Sequence, residues 1–299
     1  MTIPRDTVLD HLRLVAARPE LPERYQLDAL IGKGGMGEVW AARDRTLERD
    51  VAVKVIAEEL AGPELTRRLE REALILARLE HPGIVPVHDA GTLPDGRAFY
   101  VMRLVRGERL DEHAARGHPL GELLRLFVRI VEPIAYAHAH GILHRDLKPS
   151  NVMLGPFGEV LVIDWGVAHV TGDAGSGLVV GTPGFMAPEQ SAGGPVDART
   201  DVFGLGAILA SLLEGRPDVP RPLAAIVARA RSSSPADRYQ SAVDLGADVG
   251  AFLDRLPVAA YREGPLERLG RFGARHRVAI LLFSAYIIMR VLILVFRGI

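Results

Sequence analysis

The 299-residue chain contains no cysteine. This absence excludes disulfide bonds, thiol-based catalysis and zinc sites built from thiolates. The formal net charge is only −1, so the overall charge gives no reason to expect nucleic-acid binding. The first residues lack an apolar run of signal-peptide length, and we expect no secretion signal. No internal repeat or low-complexity tract is visible, so repeat and fibrous architectures are not indicated.

The composition that is present predicts a large globular unit. Hydrophobic residues make up 48% of the chain and charged residues 24%, which is enough apolar surface for one large domain or two lobes. Residues 1–24 predict a short helix and a linker. Residues 25–106 contain strand-like runs and one helical run, and residues 107–256 are mostly helical. The pattern predicts an α+β fold with a small β-rich N-lobe, which has one main helix, and a larger helical C-lobe.

The end of the chain has a different character. A basic segment, 257–277, precedes an apolar run, 278–296, that is interrupted only by Arg290 and the mild Ser284 and Tyr286. A helix of roughly 19 residues reaches about 28 Å, close to the thickness of the bilayer core. Arg290 adds about 2.5–3.5 kcal/mol to the free energy of membrane insertion if it lies at the helix centre. Each large apolar residue lowers that free energy by about 0.3–0.6 kcal/mol. We therefore expect a transmembrane helix with the basic segment on the cytoplasmic side; an amphipathic or buried helix is the alternative.

A glycine-rich stretch, IGKGGMGEV, occupies positions 31–39 between two strand-like segments. Gly32, Gly34 and Gly37 form a G-x-G-x-x-G pattern whose missing side chains allow backbone N–H groups to approach phosphates. Alone this is a weak signal, because a glycine-rich hairpin is about as good an interpretation. A dinucleotide-binding turn would need a helix after the glycines, whereas EVWAARD resembles a strand.

One lysine interrupts the next apolar strand. Lys54 lies in VAVKVI, one hairpin downstream of the glycines. An outward-facing lysine is the ordinary interpretation, but a lysine at this place can reach phosphate oxygens. It would need a carboxylate to hold it, and Glu72 in the following helix is the candidate, with Glu70 as the fallback.

The stretch HRDLKPSN at 144–151 concentrates polar groups of several kinds. Asp146 can accept or orient the proton of a hydroxyl, Lys148 can balance phosphate charge, and Asn151 can bind a metal through its amide oxygen. Further on, Asp164 ends the apolar strand VLVI, where a carboxylate is a natural Mg²⁺ ligand. A lone aspartate there is usually a turn or cap residue, so its combination with Asn151 is what indicates a metal site.

These motifs, in this order and with APEQ at 187–190, resemble the eukaryotic-type (Hanks-type) serine/threonine protein kinases of bacteria. The resemblance covers 25–256. It implies that ATP and Mg²⁺ (or Mn²⁺) bind between the lobes, with Asn151 and Asp164 holding the metal. It also implies that Lys54 binds phosphates while paired with Glu72, that Asp146 is the catalytic base and that Lys148 assists at the γ-phosphate.

The family's pattern also assigns the nucleotide-binding residues. The glycine loop is implied to cover the phosphates, and Val39, Ala52 and Met153 to sandwich adenine. Met102 resembles the gatekeeper, and the hinge follows at Arg103–Val105. The implied nucleotide-binding residues are therefore Ile31, Gly32, Lys33, Gly34, Gly35, Met36, Gly37, Glu38, Val39, Ala52, Lys54, Met102, Arg103, Val105 and Met153.

The resemblance extends to supporting contacts. Glu189 is implied to pair with Arg238, and Asp201 to support the catalytic loop. A spine of side chains that includes His144 and Trp165 is implied to form in the active state. Lys148 after RDL, together with Thr182, resembles serine/threonine rather than tyrosine kinases.

The sequence departs from the family in three places. Trp165 replaces the usual phenylalanine of Asp-Phe-Gly, and we expect the apolar contact to survive. Arg103 replaces a common hinge acid, with little harm expected because the hinge binds adenine through its backbone. The region 213–222 is shortened where the family has a loop and a further helix, which leaves ordinary substrate recruitment open.

The sequence thus predicts a membrane-associated enzyme that phosphorylates Ser/Thr residues of proteins, itself included, and self-associates for that purpose. Thr171 or Ser176, once phosphorylated, could pair with Arg145. We expect a tail-anchored kinase with a cytoplasmic domain, or a truncated relative without a sensor, and no nucleic-acid partner. The alternatives are a membrane-tethered pseudokinase scaffold, which binds nucleotide without efficient transfer, and a small-molecule kinase of similar fold.

Overall fold

The computed structural model describes residues 18–34, 37–170, 181–265, 267–268 and 276–296. Several predicted features lie outside these residues. They are the N-terminal helix, the tip of the glycine loop and the activation-loop hydroxyls, namely 1–17, Gly35, Met36, Thr171 and Ser176.

The N-terminal lobe is built on a five-stranded antiparallel sheet in the order β1-β2-β3-β5-β4. The strands are β1 Tyr25–Gly34, β2 Gly37–Asp44, β3 Arg49–Val55, β4 Val87–Thr92 and β5 Ala98–Arg103. Valine and aromatic side chains dominate the central β3 and β5, as expected for strands covered on both faces. One core cluster, which includes Trp40, Val53 and Phe99, lies on one face of the sheet.

The first helix, α1 (Pro63–Ala77), links β3 to β4. It begins with Pro63 at its first position, where the missing N–H removes no helical hydrogen bond. Its buried residues Leu69, Ala73 and Leu76 recur at helical spacing and join the main core. Glu72, on the same helix, is only 2% exposed. A carboxylate so deeply buried requires a partner.

The C-terminal lobe is mainly helical. Its elements are β6 Glu108–Arg109, α2 Leu110–Ala114, α3 Leu120–Ala139, β7 Ile142–Leu143, β8 Val152–Leu154, β9 Val160–Val162, β10 His169–Val170, α4 Pro188–Ser191, α5 Ala198–Leu213, α6 Arg221–Ala230 and α7 Ala242–Leu253. The predicted bilobal α+β architecture is therefore present. One core cluster runs from α1 and β5 through α3, α5 and α7, so the lobes share apolar packing.

Two helices carry the centre of this lobe. α3 presents Phe127, Ile130 and Ile134, each 0% exposed, to the core and ends before Gly141, whose φ of 71° suits a helix terminus. α5 is buried around most of its circumference. It begins at the N-cap Asp197, whose side chain accepts the N–H of Arg199.

The shortened region is a plain connection between α5 and α6, residues 214–220. Arg216 fastens it by donating to the carbonyls of Leu212 and His118, and Val219 packs against the core. α6 then lies directly on α5, where a Cβ on Gly206 would approach the Cβ of Ala230 to 2.7 Å. The direct contact of α6 with α5 therefore fills the space next to the shortened connection.

A buried ion pair ties α4 to the segment before α7. Arg238 donates two hydrogen bonds to Glu189, each 2.7 Å long, and a third to the carbonyl of Arg199. The Arg238 side chain is 0% exposed and that of Glu189 is 13% exposed. The pair forms as the resemblance implied, and it fixes APEQ to the C-terminal lobe.

The last described helix is α8, Arg277–Phe296. Most of its described large apolar side chains are exposed, for example Leu282 at 68% and Ile288 at 60%. Over the ranges that the structure describes, no helix is long and apolar enough to cross a membrane. The predicted transmembrane helix at 278–296 is therefore not supported.

We predict that Arg238→Met lowers the free energy of unfolding by about 3–5 kcal/mol, because Glu189 would keep a partly buried charge without its partner. Urea unfolding followed by circular dichroism measures the loss. The matched control is Arg68→Met, since Arg68 pairs with Glu64 on the surface of α1 at 3.2 Å and should contribute less than about 1 kcal/mol. Equal losses in the two variants would show that the buried pair has no special weight.

Candidate active site

A cavity of about 550 Å³ lies between the two lobes. Its size falls within the range of small-molecule sites, about 300–1,000 Å³. Fourteen of the predicted site residues line it: Ile31, Gly32, Lys33, Gly34, Gly37, Val39, Ala52, Lys54, Met102, Arg103, Val105, Asn151, Met153 and Asp164. The structure thus gathers residues from both lobes, far apart in sequence, around one concave site.

The glycine-rich stretch forms the β1–β2 hairpin over this cavity. Gly32 pairs with Val39 and Gly34 with Gly37 across the two strands, so a strand follows the glycines and the dinucleotide-binding alternative is wrong. Gly37 is required by packing, because a Cβ there would lie 2.2 Å from the carbonyl oxygen of Val55. A Cβ on Gly34 would meet nothing within 4 Å, so that position stays open toward a ligand.

Glu38 does not place its side chain in the cavity, contrary to the assignment carried over from the family. Successive side chains of a strand point to opposite faces, and the neighbouring Val39 faces the cavity. Glu38 instead accepts from Trp40 Nε1 at 3.3 Å and pairs with Lys33 Nζ at 3.2 Å. Its predicted contact with the nucleotide is therefore not made by the carboxylate.

Lys54 is the charged centre of the cavity. Its Nζ donates to both carboxylate oxygens of Glu72, at 2.7 and 2.9 Å, and lies 3.4 Å from Asp164 Oδ1. Glu72, and not the exposed fallback Glu70, is thus the partner. Burial lowers the pKa of Lys54, but the negative charges of Glu72 and Asp164 outweigh it and raise the pKa overall. The lysine is therefore a cation at neutral pH, suited to phosphate oxygens.

Tyr100 is a site residue that the sequence interpretation missed. It lies opposite Lys54 in the β3–β5 register, is 2% exposed, and its hydroxyl donates to Glu72 Oε1 at 2.9 Å. Burial, together with the Glu72 carboxylate, raises the pKa of Tyr100 well above its usual value, so the hydroxyl keeps its proton. Alternation along β5 could have indicated it, because Met102, two residues away, was predicted to face the cavity.

The stretch HRDLKPSN forms a loop at the edge of the cavity. Lys148 Nζ donates to Asp146 Oδ2 at 2.7 Å and to Thr182 Oγ1 at 2.8 Å, and Thr182 in turn donates to Asp146 Oδ1 at 2.8 Å. A hydroxyl on a flanking loop therefore already contacts both the carboxylate and the ammonium. Asp146 and Lys148 lie beside the cavity and do not line it.

Asp201 supports this loop from below. Its carboxylate accepts the backbone N–H groups of His144 and Arg145, both at 2.8 Å, and contacts His138 Nε2 at 2.8 Å. Burial raises the pKa of Asp201, but the hydrogen bond and charge of His138 lower it overall. Asp201 thus supports the catalytic loop, as the resemblance implied, and its ionised carboxylate holds the backbone N–H of Arg145, whose φ is 66°.

Asn151 and Asp164 have the chemistry of a site for a hard divalent cation. Asn151 Nδ2 donates to the carbonyl of Asp146 at 2.8 Å, which leaves its amide oxygen free of that contact. Burial raises the pKa of Asp164, while Lys54 and His144 lower it overall, so the carboxylate is ionised. Both residues line the same cavity, and amide and carboxylate oxygens are ligands that Mg²⁺ accepts. The residues fit the predicted metal.

Part of the remaining cavity wall is apolar. Val39 and Ala52 come from the N-terminal lobe and Met153 from the C-terminal lobe, with Met102 on β5. Arg103 turns its guanidinium to Glu159, at 2.8 Å, and its backbone N–H donates to the carbonyl of Pro86. Arg103, which replaces a common hinge acid, therefore forms a surface ion pair.

Trp165 fits the position next to Asp164. Its side chain is 1% exposed, its Nε1 donates to the carbonyl of Val162, and its ring lies 4.6 Å from that of His144. The larger indole is therefore accommodated, as expected from its apolar character.

The comparisons with known proteins agree with this geometry. The family profile of the protein kinase domain matches residues 25–236. A Streptomyces coelicolor protein named "Probable serine/threonine-protein kinase" is 36% identical over 293 residues, covering 84% of this chain. The serine/threonine-protein kinase PknB of Mycolicibacterium smegmatis is 36% identical over 267 residues, covering 77% of this chain. In both cases the match spans 43% of the relative's own length.

A solved structure gives the same result. The crystal structure of the Mycobacterium tuberculosis PknI kinase domain superposes with a TM-score of 0.63 at 30% identity. The match covers 77% of this chain and 97% of the PknI domain.

We predict that Tyr100→Phe lowers the free energy of unfolding by about 1–3 kcal/mol, because it removes a hydrogen-bond donor from the buried Glu72 carboxylate. Chemical denaturation measures the change. Tyr136→Phe is the matched control, since the Tyr136 ring packs on His81 and His140 in the partly exposed part of α3. A Tyr100→Phe protein as stable as this control would contradict the assigned role.

Proposed function

The chain belongs to the protein kinase family, in its bacterial serine/threonine branch, and from that premise we propose that it transfers the γ-phosphate of ATP to serine and threonine hydroxyls of proteins, itself included. One observation carries the proposal. Lys54 contacts Glu72 and Asp164 at once, and the Asp146–Lys148–Asn151 loop lies beside the same cavity. Both the Lys–Glu pair and the metal-binding aspartate must be in place for kinase activity.

Asp146 orients the acceptor and takes its proton. Its two carboxylate oxygens accept from Thr182 and Lys148, so the carboxylate is fixed in direction before a substrate arrives. A substrate hydroxyl that takes the place of the Thr182 contact would have its proton directed at Asp146. Placement of this kind supplies much of the rate in phosphoryl transfer.

Positive charge balances the phosphates. Lys54 supplies it from the N-terminal lobe, and Lys148 supplies it from the catalytic loop near the acceptor. A divalent cation held by Asn151 and Asp164 would neutralise further charge on the phosphate oxygens. The backbone of the glycine hairpin, open at Gly34, would cover the phosphates and exclude water.

The contact between Thr182 and Lys148 supports serine and threonine as acceptors. The Lys148 ammonium lies 2.8 Å from a threonine hydroxyl that also donates to Asp146. A short aliphatic hydroxyl therefore fits between these two groups. We extend this to protein substrates because the relatives are named serine/threonine-protein kinases. Autophosphorylation with self-association is a further part of the proposal that those names do not address.

A second candidate, a nucleotide-binding scaffold without efficient transfer, follows from the shortened connection 214–220. A substrate-docking helix is replaced there by a segment that Arg216 holds against the lobe. This feature bears on recruitment and leaves the cavity intact. We therefore rank the scaffold second, and the small-molecule kinase third.

We also propose that α8 associates the kinase with a membrane, with the catalytic lobes in the cytoplasm. The support is the row of exposed apolar side chains, which includes Leu282, Phe283 and Ile288. Exposed apolar surface of this extent marks an interaction site. The basic residues that precede the helix favour the negatively charged cytoplasmic leaflet.

The central test is phosphate transfer from γ-labelled ATP with Mg²⁺, using the full chain and a generic basic protein. We predict label on serine or threonine, with a rate about 10²–10⁴-fold lower in Asp146→Asn because the acceptor loses its base. The control is Asp254→Asn, an exposed aspartate after α7, which should keep the rate. Equal transfer by wild type and Asp146→Asn would sink the proposal, and ATP binding without transfer would favour the scaffold.

For the membrane, we predict that Leu282→Glu with Ile288→Glu reduces flotation of the protein with anionic liposomes, because a charge on the apolar surface of α8 opposes burial in lipid. Val243→Glu, at a 61% exposed position on α7, is the matched control. Unchanged flotation of the double variant would assign the membrane contact elsewhere.

A further inference from the structure

Three potential metal ligands meet where α2 joins α3. His113 lies near the end of α2, His118 in the connection, and Glu122 in the first turn of α3. One nitrogen of each histidine and one oxygen of Glu122 all lie within 4.8 Å of one another. The proposed transfer reaction uses none of these residues, so the cluster requires its own explanation.

Glu122 Oε1 is the common point of the cluster. It lies 3.1 Å from His118 Nδ1 and 3.6 Å from His113 Nε2. In a tetrahedral zinc site with bonds of 2.0–2.1 Å, neighbouring ligand atoms are roughly 3.3–3.4 Å apart. Two of the three ligand pairs therefore already have about the spacing that one shared ion would impose.

The surroundings of His113 favour a ligand role. Its Nδ1 lies 2.8 Å from Glu108 Oε1, and its Nε2 faces Glu122 Oε1 at 3.6 Å. A carboxylate behind a histidine in this way is the usual outer shell of a metal-bound imidazole. His113 Nε2 is buried without a hydrogen-bond partner. A cation placed between His113 Nε2 and Glu122 would give both groups a partner.

Charge and access allow an ion to enter. Glu108 is paired with Arg116, which leaves Glu122 as the negative charge of the cluster. His118 and Glu122 side chains are 26% and 46% exposed, so solvent reaches the cluster and can supply a water ligand. The two imidazole rings are stacked, with centroids 3.7 Å apart and planes 13° apart. Stacked rings cannot both aim a lone pair at one ion, so binding would turn one ring out of the stack.

We propose that His113, His118 and Glu122 bind a first-row divalent transition-metal ion such as Zn²⁺, with Glu108 as the outer-shell residue that orients His113. Two imidazoles with one carboxylate suit Zn²⁺, whereas Mg²⁺ and Ca²⁺ prefer oxygen alone. The ion would link α2 to α3. Its ligand His113 directly follows Glu112 in the sequence, and both Arg109 and Glu112 line the nucleotide cavity. The site is independent of the proposed transfer activity.

The test uses the full chain and Zn²⁺ as the probe, with binding measured by equilibrium dialysis in excess Mg²⁺ and ADP. Because the chain has no cysteine, any tight site must use nitrogen and oxygen ligands. We expect one zinc equivalent in the wild type and in His140→Ala, which removes an exposed histidine outside the cluster. His118→Ala and Glu122→Gln should lose stoichiometric binding, and Glu108→Gln should bind about 10–100-fold more weakly.

Two further measurements separate the outcomes. Asp164→Asn should keep the zinc, which distinguishes this cluster from the cation site in the cavity. Co²⁺ in place of zinc should give a visible absorption band that disappears in His118→Ala. Circular dichroism checks that each variant is folded, and ADP binding gives a second check for the variants outside the nucleotide cavity. No zinc uptake by the wild type, or equal uptake by folded His118→Ala, would overturn the proposal.

Discussion

The contact of Lys54 with Glu72 and Asp164 is the interaction on which the rest of the structure depends. It joins three elements that no local sequence preference would bring together: the central strand β3, the helix α1 and the loop after β9. The Lys54 and Glu72 side chains are only 11% and 1% exposed, and an isolated charge at such depth is costly. Each of the three charges is stabilised by the others, so the lobes take up a relative position in which the cavity lies between them.

This triad also explains why Tyr100 is a tyrosine. The Glu72 carboxylate accepts two hydrogen bonds from Lys54 and a third from the Tyr100 hydroxyl. The third bond uses acceptor capacity that would otherwise remain unsatisfied in an apolar layer. A second set of buried charges, in which Asp201 holds the catalytic loop and Arg238 holds Glu189, performs the same task in the C-terminal lobe. The site is therefore assembled by buried charge on both sides of the cavity.

Sequence reasoning predicted what local pattern and ordered motifs determine. Alternation in VAVKVI indicates a strand, the spacing of Leu69, Ala73 and Leu76 indicates a helix face, and the five ordered motifs indicate which residues meet. It failed where the outcome depends on which face of a strand a side chain occupies. Glu38 was assigned to the nucleotide but points away from the cavity, and Tyr100 was overlooked although it points toward Glu72. The His113–His118–Glu122 cluster was also missed, because it arises from a turn between two helices and matches no motif.

The apolar tail shows a different limit. Hydropathy alone predicted a membrane span, and the threshold between a span and an exposed apolar helix is narrow when an arginine interrupts the run. In the parts that the structure describes, no helix reaches that threshold.

The shortened region tests how far function depends on the missing helix. The connection 214–220 allows α6 to pack directly on α5, where Gly206 leaves room for Ala230. Arg216 reaches across to the His118 carbonyl, so the same segment supports the loop that carries His118. The C-terminal lobe is therefore closely packed without the helix that the family normally has here, and the residues that line the cavity keep their positions. Because the loss falls on a surface and not on the buried charges, it should alter which proteins are recruited before it alters the transfer itself.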